Sequence, residues 1–131
     1  MTRVLGAREA LNLLDKVVVE FGRDYVDPGS KPDGTGCDYT TVNSEQELIA
    51  GCIVGQVLAK VGADLEDLDH LYGTIGFLEA DVKKFLDIEL TIGARLVLRA
   101  AQRVQDKGTE WGEALLAADD TFRILSADGI D

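Results

Sequence analysis

The stretch TIGARLVLRAAQRVQDKGTEWGEALLAADDTF, residues 91–122, decides the fold. Thr91 is placed to cap a long helix that runs through Lys107, with Ile92, Leu96, Ala100 and Val104 recurring at helical spacing toward the core. Gly108 stops it, and a second helix starts at once, capped by Thr109 and carrying Trp111, Leu115, Ala118 and Phe122. Trp111 can wedge the two helices together, while Asp106 and Glu113 can accept from backbone donors freed at the junction.

Outward from this pair, the pattern stays mainly helical. Residues 6–21 carry Leu11, Leu14, Val18 and Phe21 at spacings of three and four, and Gly22 follows as a helix end. Both prolines and several glycines gather in 23–43, which predicts a small β-hairpin with strands near 24–27 and 36–42 around a loop at 28–36. Ser44 and Glu47 have capping-box spacing, which predicts a helix carrying Leu48, Cys52, Ile53, Val57 and Val61 up to Gly62. Gly51 and Gly55 share one face of it and would admit another backbone closely. A helical turn is expected at 65–70 and a further helix around 77–86. The expected fold is therefore mainly α (α+β), a compact bundle of about four to five helices with a small β-hairpin, in one domain spanning 1–131.

Composition narrows the function classes. Thirteen Lys and Arg against twenty-four Asp and Glu give a formal charge of −11, which repels nucleic-acid phosphates and anionic lipid. General nucleic-acid binding is therefore disfavoured, while a basic partner protein, or in the extreme a DNA-mimic inhibitor, fits. The two cysteines, Cys37 and Cys52, are too few for a secreted disulfide framework, and no leader or membrane-spanning run is visible, so a cytoplasmic location is expected.

The pieces FGRDYV (21–26), CDYT (37–40), GCIVGQVLAKVG (51–62) and ARLVLRAAQRVQDKGTEWGEAL (94–115) together resemble a family of small uncharacterised proteins encoded by actinobacteria and their bacteriophages. The ending Gln-Asp-x-Gly-x-x-Trp-Gly-Glu-Ala, from Gln105 to Ala114, is its most specific part. The run VNSEQELIA before Gly51 is longer than the short turn that the family pattern has there. The resemblance implies a phage or actinobacterial origin, with the host cytoplasm as location if phage-encoded, and an all-α or α+β fold; it implies no reaction.

Candidate site residues fall into three groups. Arg95, Arg99, Arg103 and Lys107 recur every four residues and form a basic stripe, which suits a phosphate-bearing small molecule or an acidic surface, or simply pairs with Asp64, Glu66, Asp67 and Asp69. Gln102, Gln105 and Trp111 cluster beside it at the Gly108 junction as further binding candidates. Cys52 and the single histidine, His70, are the possible reactive groups: they could form a nucleophile and base with Asp67 or Asp69, or ligate a metal with Cys37, but packing explains Cys52 more simply. Paired Cys-x-x-Cys or His-x-x-x-His ligands, GxxxxGK[ST], HExxH and a serine elbow are all absent from the sequence, and EWGEALLAADD is too acidic to read a major groove. No cofactor or metal is expected. The function expected is a small noncatalytic binding or regulatory protein that contacts a host or phage protein. The alternative is a binder of an anionic small molecule or nucleotide, or an enzyme acting on one, that uses the 95–107 stripe.

Overall fold

The computed structural model describes residues 2–28, 38–71, 75 and 79–131. Along the chain lie β1 (Arg3–Leu5), α1 (Ala7–Phe21), β2 (Thr40–Val42), β3 (Leu48–Ala50), α2 (Ile53–Val61), α3 (Leu65–Leu68), α4 (Glu79–Leu86), β4 (Ile88–Leu90), α5 (Ile92–Asp106) and α6 (Trp111–Ala127). The protein is mainly helical with minor β structure. Strands β2 and β3 form an antiparallel hairpin with Thr41 opposite Ile49, and β1 pairs in parallel with β4, Val4 opposite Glu89.

Helices α1, α5 and α6 enclose most of the core. Phe21 meets Trp111 at one end of the α1–α6 seam and Arg8 lies over the Phe122 ring at the other, so these two helices run antiparallel. The N-termini of α1 and α5 meet at the opposite end from Trp111, where Asp131 serves both. Its side chain accepts from the Ala7 N–H at 2.9 Å, and its main-chain oxygen accepts from the Gly93 N–H at 3.1 Å. A Cβ on Gly93 would sit 2.4 Å from the Asp131 carbonyl carbon, so glycine is what lets that segment approach.

Helix α5 has the expected ends: the Thr91 hydroxyl accepts from the Ala94 N–H at 3.0 Å, and Gly108 adopts φ 78° after the last turn. Its buried face differs from expectation. Ala94, Val97, Leu98, Ala101, Gln102 and Gln105 face inward, whereas Ile92 is 58% exposed and Leu96, Ala100 and Val104 lie at the edges. The inner stripe therefore mixes apolar residues with two glutamines whose side chains bond to distant parts of the chain.

The hairpin also lies elsewhere than expected. Residues 24–27 form no strand; β2 pairs instead with 48–50, which the capping-box reading assigned to a helix. The cause is Asn43, whose side-chain oxygen accepts from the N–H groups of Glu45 (2.9 Å) and Glu47 (3.0 Å) and nucleates a turn. Gln46 completes it at φ 64°, and helix α2 begins only at Ile53. All of the expected 28–36 loop but Pro28, and Cys37 after it, lies outside the described residues.

At α6 the Thr109 cap is replaced by tertiary contacts. Glu110 occupies the cap position without a side-chain bond, and the Trp111 and Gly112 N–H groups donate to the carbonyls of Tyr25 (2.8 Å) and Arg23 (2.9 Å). The segment following α1 thus satisfies the orphan donors that open α6. A Cβ on Gly112 would lie 2.9 Å from the Arg23 oxygen, so the close approach depends on glycine there.

Candidate functional site

A network of buried side chains ties the β2–β3 hairpin to α2 and α5. Gln102 is wholly buried; its Oε1 accepts from the Ile75 N–H at 2.7 Å and its Nε2 donates to the Tyr39 hydroxyl at 3.0 Å. Gln105, equally buried, accepts from the Ile53 N–H at 3.0 Å and donates to Asp106 Oδ1 at 2.6 Å. The Gly51 and Cys52 N–H groups donate to the carbonyls of Tyr39 and Asp38, each at 2.9 Å. The backbone of Tyr39 runs so close to α2 that a Cβ on Gly55 would lie 2.2 Å from its oxygen. Burial lifts the Tyr39 phenol well above its ordinary value, the Asp106 charge adds to the rise, and the bond from Gln102 opposes it. This network fixes the hairpin against α2 and α5.

On the solvent side of that scaffold a cleft of about 150 Å³ opens between the segment leaving α1 and the β2–β3 hairpin. Phe21, Tyr25 and Ile49 supply apolar surface, Asp27 and Asp38 supply carboxylates, and Gln56 lies against Gly51, to whose carbonyl it donates at 3.3 Å. The aromatic side is braced from behind. The Phe21 and Tyr25 rings stack at 5.1 Å and 11°, and both contact buried Trp111, at 5.0 and 4.5 Å. Asp27 is only 8% exposed, whereas Asp38 is open to solvent. Burial raises the Tyr25 phenol above its ordinary value, and the Asp27 carboxylate adds to the rise, so negative potential reaches the aromatic wall.

The expected site residues separate. Gln102, Gln105 and Trp111 have no exposed surface and support the fold rather than face a ligand. Of the basic stripe, Arg95 is partly buried and bound to Glu79 at 3.2 Å, Arg99 is half-buried, and Arg103 and Lys107 stand in solvent. Two of its expected acidic neighbours are used elsewhere: Asp64 caps α3 through the Glu66 and Asp67 N–H groups, and Asp69 accepts from the Thr40 hydroxyl at 2.6 Å.

Cys52 is buried at the cap of α2 and is disulfide-bonded, so it offers neither a nucleophile nor a metal ligand. The sequence holds one other cysteine, Cys37, which is outside the described residues. His70 is exposed and lies against the Phe85 ring at 5.7 Å. Among the described residues no three His, Cys, Asp or Glu side chains gather as a metal site, and no helix is long and apolar enough to cross a membrane. Because disulfides persist mainly in oxidising compartments, the cysteine count no longer argues for a cytoplasmic location.

Sequence reading missed the cleft. Its walls come from 21–28, 38–41 and 49–56, and the only local signal was the aromatic and acidic content of FGRDYVDP and CDYT. Comparison with protein-family models, with curated proteins and with solved structures returned no match to this chain.

Proposed function

We propose that this chain is a small noncatalytic binding protein, of phage or actinobacterial origin, that acts by contacting a host or phage protein. The observation that carries the reading is the cleft of Phe21, Tyr25, Asp27, Asp38 and Ile49, which sets apolar and acidic groups side by side on a braced surface. At about 150 Å³ it is smaller than the roughly 300–1,000 Å³ of small-molecule sites, and it suits one protruding side chain of a larger partner. A net charge of −11 adds long-range attraction for a basic surface.

The stripe supports the anionic-ligand alternative less well. Arg95 is already bound to Glu79, which leaves Arg103 and Lys107 as its fully solvent-facing members, eight and twelve positions along one helix from Arg95. Affinity capture from an actinobacterial lysate tests the proposal. The tagged wild type should recover a specific basic protein that Asp38→Lys does not. Equal recovery by both, or recovery of none, would count against it.

A further inference from the structure

We infer that residues 128–131 form a detachable strap whose release opens the N-terminal turns of α1 and α5 in a single event. The two turns are neighbours because the parallel strands β1 and β4 lie side by side, Leu5 opposite Leu90, and each leads into its helix after one intervening residue. The Thr91 N–H donates to the Leu5 carbonyl at 3.1 Å and holds the two junctions together.

A helix start leaves backbone donors without an intrahelical partner. Gly6 caps α1 with no side chain to offer, and Asp131 supplies what is missing. Its carboxylate accepts from the Ala7 N–H at 2.9 Å and its main-chain oxygen from the Gly93 N–H at 3.1 Å, at the positive ends of both helix dipoles. A Cβ on Gly6 would lie 2.9 Å from Asp131 Oδ1, and one on Gly93 2.4 Å from the Asp131 carbonyl carbon, so the seat of this residue is shaped from both sides.

The remainder of the strap is lightly held. Residues 128–131 are all exposed, Gly129 turns the chain at φ 71°, and the Ile130 N–H donates to the Leu125 carbonyl at 2.9 Å, which anchors the strap to the end of α6. A cavity of about 220 Å³ lies among residues 129–131 and the side chains of Arg8 and Phe122, so little packing holds the strap between its two anchors. A segment with few buried contacts opens at a lower cost than the whole fold. Because one residue serves both N–H groups, neither helix start is released alone.

Native-state hydrogen exchange of the ¹⁵N-labelled full chain, followed amide by amide in low urea, tests this. The Ala7 and Gly93 amides should share one protection factor, nearly independent of urea and below that of Leu98 in the middle of α5. Asp131→Ala removes the acceptor of the Ala7 N–H but keeps the main-chain oxygen that serves Gly93. With the strap moving as a unit, the Gly93 amide should nevertheless exchange about tenfold faster, the scale of a lost charge-assisted hydrogen bond. Gly6→Ala, whose added methyl group meets the Asp131 carboxylate, should speed Gly93 exchange in the same direction. Separate protection factors for Ala7 and Gly93, Gly93 exchange unchanged by Asp131→Ala, or exchange of both amides only through the global unfolding that exposes Leu98 would overturn the inference.

Discussion

The Gln105 side chain, buried in the middle of the fold, accepts a hydrogen bond from the Ile53 N–H at 3.0 Å and so supplies from α5 the cap that α2 lacks in its own sequence. Removing it exposes the cost of an orphan donor in a dry interior. Gln105→Ala leaves the Ile53 N–H unsatisfied and opens a cavity, and should destabilise the protein by about 2–4 kcal/mol in urea unfolding. Gln105→Met, which fills the space but cannot accept the bond, should recover part of that loss.

Glycine at position 55 is required by backbone contact. Because any Cβ there would lie 2.2 Å from the Tyr39 oxygen, Gly55→Ala should push the hairpin off α2 and cost about 3 kcal/mol or more. Gly62→Ala meets no atom within 4 Å and bears only the strain of φ 109°, roughly 1–2 kcal/mol. Melting temperatures of the two variants should therefore rank in that order, with Gly55→Ala the lower.

Alkaline pH should weaken the fold through Tyr39. Its folded value lies above the unfolded value of 10.0, so the protonated phenol contributes stability that is complete below pH 10.0 and is lost as pH rises toward the folded value. The difference in unfolding free energy between the wild type and Tyr39→Phe should be constant up to about pH 9 and shrink above about pH 10. Urea unfolding of both proteins across that range measures it. A difference that grows with pH would contradict the burial of a neutral phenol.

The disulfide at Cys52 should stabilise the protein by roughly 2–4 kcal/mol. Thermal melts with and without dithiothreitol should differ accordingly, and the denatured, unreduced chain should show no free thiol to a chromogenic reagent. Two free thiols would contradict the oxidised state described above.

The sequence announced several helices through their ends. Thr91 and Gly108 bounded α5, and Gly22 and Gly62 closed α1 and α2. It concealed whatever depends on distant partners. Parallel pairing of β1 with β4 joins residues 85 positions apart in three-residue strands, too short for a period to emerge. Gln102 and Gln105 read as binding candidates because their partners, Ile75, Tyr39 and Ile53, come from elsewhere in the chain. Residues 48–50 read as helix because the Asn43 turn competes with a plausible capping box and wins. Trp111 was legible as a wedge, but not the fact that its ring backs a cleft.

Photo-crosslinking tests most directly whether the cleft is the face that meets a partner. A benzophenone amino acid placed at Ile49 in the cleft, or at Arg103 on the exposed stripe, is irradiated in an actinobacterial lysate and the adducts are mapped by mass spectrometry. A partner seated in the cleft predicts one dominant protein adduct from position 49, attached next to a lysine or arginine, and none from position 103. Adducts from position 103 alone would contradict it.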